Sequence, residues 1–135
     1  MLKMARLMTA VAVTVSLAAC SDIDSPSNLI TQDFTGTVDP LGQTSNPFSV
    51  SKTGELQLML LSLTPRPVVG FVAMAIGQPV GTGCQPLAGY VVQQAAVGQQ
   101  YGFPQIQKGS YCVLVADASA VLKEPATFSV RVLHP

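Results

Sequence analysis

The chain has 135 residues, enough for one domain with a single real core. Seven basic and seven acidic residues cancel, and charged residues make up 10% of the chain against about a quarter in ordinary globular proteins. No basic stripe is present, which excludes the electrostatic footprint of nucleic-acid binding.

Taken in chain order, the first element is a targeting segment. Lys3 and Arg6 form a positive N-terminal region, and Leu7 to Ala19 is an apolar run broken only by Thr9, Thr14 and Ser16. The run is short for a membrane span, which needs about 20 residues, and suits the hydrophobic region of a signal peptide over residues 1–19. It ends Leu17-Ala18-Ala19-Cys20, which resembles the lipobox of bacterial lipoproteins at every position. The resemblance implies a diacylglycerol on the Cys20 thiol, cleavage just before it, and acylation of the new N-terminus. An ordinary secretory signal with a coincidental cysteine is the alternative. From Cys20 onward there are five basic and seven acidic residues, so no polybasic patch assists membrane attachment. Acyl chains suffice alone, at about 0.8 kcal/mol per buried methylene. Ser21 after the cysteine resembles an outer-membrane address. The expected location is therefore the bacterial cell envelope, with the protein lipid-anchored at Cys20.

Three cysteines are present: Cys20, Cys84 and Cys112. Lipidation of Cys20 leaves one pair, and an exported chain meets an oxidising compartment, so Cys84–Cys112 is the expected disulfide. Such a crosslink contributes roughly 3–4 kcal/mol in the chain-entropy model. Two buried free thiols are the alternative. A zinc site lacks ligands, because the sole histidine, His134, has no ligand-spaced neighbours.

Residues 20–30 read as a flexible tether, and a β domain fills 31–135. Phe34, Gly36 and Val38 share one face of a first strand. Asp39-Pro40-Leu41-Gly42 turns the chain, Phe48 and Val50 alternate with Ser49 and Ser51, and Lys52-Thr53-Gly54 turns it again. Leu56, Leu58 and Leu60 alternate until the phase slips at Leu61, the signature of a bulge. Pro65-Arg66-Pro67 ends that strand, Val68 to Ile76 reads as the next, and Gly77 to Gly83 as a loop. Residues 89–107 are harder to read. Tyr90-Val91-Val92 is strand-like, Tyr101 to Ile106 gives a strand broken at Pro104, and the paired glutamines fit a solvated sheet face better than a polar binding surface. Lys108-Gly109-Ser110 introduces a buried strand, Tyr111 to Ala116, closed by Asp117. A loop over Ala118 to Pro125 leads to a last strand in which Phe128, Val130 and Val132 alternate with Ser129, Arg131 and Leu133.

Eight or nine short strands without a helix predict an all-β fold, a single antiparallel β-sandwich with one disulfide. The predicted core is Phe34, Val38, Phe48, Val50, Leu56, Leu58, Leu60, Val72, Met74, Ile76, Tyr111, Val113, Val115, Phe128, Val130 and Val132. On the buried strand, Cys112, Leu114 and Ala116 face away from Tyr111, Val113 and Val115. These too are apolar, which predicts a cover for the outer face. The expected cover is a flap from Gly77 to Gly89, stapled by Cys84–Cys112, with Leu87 against Leu114.

Phe34-Thr35-Gly36-Thr37-Val38, Phe48-Ser49-Val50, Gly54-Glu55-Leu56-Gln57-Leu58, Gly109-Ser110-Tyr111-Cys112-Val113 and Phe128-Ser129-Val130-Arg131-Val132 together resemble the bacterial pre-peptidase C-terminal domain. Collagen-binding modules of secreted proteases are similar. The resemblance implies a jelly-roll-like sandwich. Its members are usually appendages of exported hydrolases, and some bind calcium through carboxylates near the start of the domain. Asp22, Asp24, Asp33 and Asp39 lie there, without a calcium-loop motif.

A Ser-His-Asp triad needs a base held by a third group, and His134 lies one residue from the end of the sequence. Asp33, Asp39, Glu55, Asp117 and Glu124 are scattered over turns and strand ends rather than paired for glycoside hydrolysis. The expectation is therefore a non-enzyme with no catalytic residues, no metal ligands and no cofactor, in which His134→Ala changes little. The expected role is a lipid-anchored, non-catalytic module that binds protein or polysaccharide, or supports an envelope complex. The alternative is an accessory subunit or inhibitor of a separate exported hydrolase.

Overall fold

The computed structural model describes residues 28–135; the signal segment, Cys20, Asp22, Asp24 and most of the tether lie outside the described residues. Eight strands follow one another: β1 (Ile30–Val38), β2 (Gln43–Val50), β3 (Gly54–Thr64), β4 (Phe71–Val80), β5 (Gly83–Ala96), β6 (Gln100–Ile106), β7 (Gly109–Ala116) and β8 (Ala126–His134). They form two four-stranded antiparallel sheets, one in the order β1-β8-β3-β6 and the other β2-β7-β4-β5. Consecutive strands thus alternate between sheets for most of the chain, which is the two-sheet jelly-roll arrangement.

Period-two burial builds this fold. In β8, Ala126, Phe128, Val130, Val132 and His134 are buried, while the residues between them are not. In β3, Leu56, Leu58 and Leu60 are fully buried, and the register against β8 slips between Leu60 and Ser62, so that Leu63 re-enters the core. The bulge at Leu61 keeps the inward face apolar on both sides of the slip. Val38, Val50, Val72, Met74, Ile76, Val113 and Val115 complete the inner layer from the remaining strands. Phe34 packs on this core but stays half-buried, because β1 is an edge strand.

Three boundaries differ from the sequence reading. β1 starts at Ile30. β4 starts at Phe71 rather than Val68, since Gly70 takes a left-handed φ of 74° and Val68 is 95% exposed on the preceding loop. The expected loop at Gly77 to Gly83 is instead strand up to Val80, a tight turn at Gly81 (φ 59°) and Thr82, and the start of β5. Pro104 does not break β6, because that strand lies at a sheet edge where a missing N–H costs no ladder bond.

Cys84 and Cys112 form the disulfide, with Cα atoms 5.9 Å apart. Cys84 lies on β5 and Cys112 on β7, so the crosslink passes over β4, which separates them. It crosses at Gly77, the β4 partner of Cys112. A Cβ on Gly77 would lie 2.8 Å from Cys84 Sγ and closer still to the Gln85 carbonyl oxygen, so only glycine lets the β4–β5 hairpin bend over the sheet here. Ala75, Cys84, Cys112 and Leu114 form a second, small apolar cluster on this outer face. The outer face is therefore covered as expected, but by the curled end of a continuous hairpin rather than a separate flap. Leu87 does not join Leu114; it packs against the main core.

Candidate binding surfaces

The curl of the β4–β5 hairpin leaves a groove beside it. Ala73, Ala75, Leu114 and Ala116 lie along its floor on β4 and β7, Pro86 and Val91 of β5 rise on one side, and Gln43 and Gln93 lie at the rim. The cavity measures about 220 Å³. Its depth has a simple cause: alternation places small side chains of β4 and β7 on the same outer face, and the disulfide holds the hairpin over only part of it. Gln43 and Gln93 are exposed, and each amide offers both donors and acceptors. The sequence alone marks Gln93 only as part of a solvated sheet face and assigns no role to Gln43.

A second cavity of about 310 Å³ opens at one end of the sandwich, between the β3–β4 and β7–β8 loops. Pro65, Pro67, Val68, Val121 and Leu122 supply apolar surface there, and Arg66, Lys123 and Glu124 supply charge. Asp117 organises this end. Its buried carboxylate accepts hydrogen bonds from the Leu41 N–H at 3.0 Å, the Val121 N–H at 2.8 Å and the Leu122 N–H at 3.3 Å. Burial pushes its pKa up, but the three amides outweigh that and hold it below the ordinary carboxylate value. Sequence showed Asp117 only as the polar residue closing a strand. Its role depends on bringing the 39–42 turn beside the 117–122 loop, a long-range contact.

Besides Asp117, three of the candidate side chains, His134, Asp33 and Glu55, are held by partners within the sandwich. His134 is buried, although it lies one residue from the end of the sequence. Its Nε2 lies 2.8 Å from Gln32 Oε1, its Nδ1 lies 3.1 Å from the Pro135 oxygen, and its ring stacks at 5.3 Å on Phe48. The physical reason is alternation: His134 continues the inward face of Val130 and Val132, so β8 carries it into the core. The expectation that His134→Ala changes little does not survive this burial. Asp33 is paired with Arg131, directly opposite on β8, through two bonds of 2.7 and 2.8 Å. The Arg131 hydrogen bond holds the Asp33 carboxyl below its ordinary value. Glu55 accepts a hydrogen bond from the Gln57 amide at 2.7 Å. Among the described residues no cluster of three or more histidine, cysteine or acidic side chains is arranged to hold a metal ion. Of the four aspartates near the domain start, Asp33 sits mid-strand and Asp39 in the following turn. At about 3.3 Å per residue they stand on the order of 20 Å apart.

Over the described residues, the fold and these surfaces define a jelly-roll sandwich with an outer-face groove and a loop-end cavity. No protein-family model matches the chain, and no match is found among curated proteins.

Proposed function

We propose that this protein is a lipid-anchored module of the bacterial envelope that binds a hydroxyl-rich polymer, a polysaccharide, along the outer face of the β2-β7-β4-β5 sheet. One observation carries the reading: the groove has a floor of small apolar side chains and a rim of exposed amides, Gln43 and Gln93. Small apolar floors accept the flat faces of sugar rings, and amides match hydroxyls as both donor and acceptor. His134 and Asp117 stabilise the scaffold, so the module acts by binding. The complete lipobox at Cys20 supports the anchor. β1 begins at the tether, and its far end, Val38, lies beside Ala126, so the β3–β4 and β7–β8 loops point away from the anchored end.

Affinity electrophoresis of the intact protein through gels containing envelope polysaccharide tests the groove. Retardation lost in Gln43→Ala/Gln93→Ala, with an unchanged circular dichroism spectrum, is the expected result; unchanged retardation contradicts it. Intact-mass analysis of the native protein tests the anchor, with an acylated chain beginning at Cys20 expected.

A second reading, an accessory subunit or inhibitor of an exported hydrolase, is favoured by a different observation. The Pro65-Arg66-Pro67-Val68-Val69 loop projects Val68, 95% exposed, at the end away from the tether. Val68→Asp abolishing capture of a hydrolase while leaving polysaccharide retardation intact would establish that reading over the first.

A further inference from the structure

The four edge strands are not protected alike. β2 carries Pro47, β5 carries Pro86 and β6 carries Pro104, and a proline on an edge removes a donor that another chain could pair with. β1, Ile-Thr-Gln-Asp-Phe-Thr-Gly-Thr-Val, carries none, and it is rich in β-branched residues. Its backbone direction is fixed by one bond. The Thr37 carbonyl oxygen accepts the Thr44 hydroxyl from β2, so it faces away from β8. Alternation turns the N–H and C=O groups of Thr31, Asp33 and Thr35 to the same open side. The apolar cover is incomplete along the same edge. Ile30 is 49% exposed and Phe34 is half-buried, although both lie on the inward-facing side of the strand.

We propose that β1 is the pairing edge for a second copy of this chain, joined antiparallel about a two-fold axis at Phe34. In that register Asp33 faces Thr35 of the other copy, Thr31 faces Thr37, Gln32 faces Gly36 and Ile30 faces Val38. No like charges oppose one another, and Asp33 keeps its Arg131 partner. The open donors and acceptors of Asp33 and Thr35 meet each other twice across the axis, as an isologous contact requires, and the Thr31 carbonyl meets the Thr37 N–H, the Thr37 carbonyl being already taken by the Thr44 hydroxyl. Phe34 then sits in a non-hydrogen-bonded position, where opposed Cα atoms approach to about 4.5 Å, so the two half-covered rings cover each other. The β1-β8-β3-β6 sheet becomes a continuous sheet of twice the width. A single strand edge is smaller than the roughly 800 Å² per partner of a standard interface, so the association is reversible and rises with concentration.

Sedimentation velocity of the intact protein in a non-ionic detergent, over a concentration series, reads this directly. The expected result is a shift from one copy to two. Thr35→Pro, which removes an outward N–H and no native ladder bond, is expected to keep the circular dichroism spectrum and remain a single copy. Under mild oxidation Phe34→Cys is expected to crosslink into dimers beyond the wild-type background, whereas Gln32→Cys, which faces Gly36 of the other copy, does not. Should Phe34→Cys misfold, Thr35→Pro still decides the matter. A single copy at every concentration overturns the proposal, including the case in which the edge takes a strand of another protein. So does a folded Thr35→Pro that still dimerises, or a Gln32→Cys that crosslinks as readily as Phe34→Cys.

Discussion

The two lateral edges of the sandwich are closed by different means. On the β5/β6 side, side chains reach across from one sheet to the other. The Tyr90 hydroxyl donates to the Gln105 carbonyl, and the Tyr101 hydroxyl accepts the Ala96 N–H at 2.9 Å and donates to the Gln94 carbonyl at 3.1 Å. Tyr90 stacks on Phe103 at 5.2 Å, and Leu60 bridges to Val97. On the β1/β2 side the hydrogen bonds between the sheets sit at the two ends: Thr44 caps Thr37 and Asp117 accepts the Leu41 N–H at one, and the Ser51 N–H donates to the Pro135 oxygen at the other, with Phe34 on Phe48 between them. Between the two ends lie the half-covered Phe34 and Asn46, whose buried Nδ2 has no hydrogen-bond partner among the described residues. Amphipathic tyrosines complete one edge within the monomer. Among the described residues the other edge keeps unpaired backbone, and unpaired backbone next to apolar surface is what recruits a further strand.

Perturbing each side should therefore give different responses. The largest effect is expected on the closed side, from the disulfide. Reduction, or Cys84→Ala/Cys112→Ala, should cost about 3 kcal/mol in denaturant unfolding. Hydrogen exchange should show residues 78–86 losing protection before β1 does; simultaneous loss would mean that the hairpin end is not a separate unit.

Next is the end of the open side that Asp117 ties. Asp117→Asn removes a charged acceptor from three amides and should cost about 2 kcal/mol. The pKa of Asp117 is depressed in the folded protein, so its stabilisation is fully present above the unfolded value of about 3.9 and is lost as pH falls through the folded value. The melting temperature of the wild type should thus fall below about pH 4, and Asp117→Asn should flatten that acid limb. Asp33 shifts in the same direction but is exposed, so it adds little.

His134→Ala opens a void beside Phe48 and leaves the Gln32 amide without its partner, which should cost about 2 kcal/mol in urea unfolding. The smallest effect is expected from Tyr101→Phe, at about 1 kcal/mol, because one hydroxyl is lost and Ala96 N–H is left open at an edge. An effect of Tyr101→Phe as large as that of His134→Ala would show that the closed edge depends on one residue rather than on a set.

Much of this architecture is legible because alternation is legible. Leu56, Leu58 and Leu60, the slip at Leu61, and Phe128, Val130 and Val132 each mark a strand with one buried face. The disulfide follows from the cysteine count once Cys20 is set aside by its lipobox resemblance. Reading fails where both faces are covered or where the strand is an edge. Val68 to Ile76 carries no period, because apolar Ala73 and Ala75 occupy the outer face, Ala75 in the small cluster with Cys84 and Ala73 along the groove, so nothing separated Val68 and Val69 in the loop from Val72 in the core. Residues 89–107 read poorly because β5 bulges twice against β4 and both strands at that edge carry polar outer faces. The groove was invisible for a related reason: Ala73, Ala75 and Ala116 mark a site only once β4 and β7 are known to be neighbours. His134 was misjudged from its place in the chain, although its phase with Val130 and Val132 already pointed inward.

The contrast between the edges is tested most directly by residue-resolved amide exchange, measured by NMR on the intact protein at low concentration. Ala96, whose N–H is held by the Tyr101 hydroxyl, should exchange slowly. Thr31, Asp33 and Thr35, whose N–H groups face the open side of β1, should exchange rapidly and then slow as concentration rises. If the β1 amides are as slow as Ala96 in dilute solution, the β1 edge is already closed within the monomer and the account is contradicted.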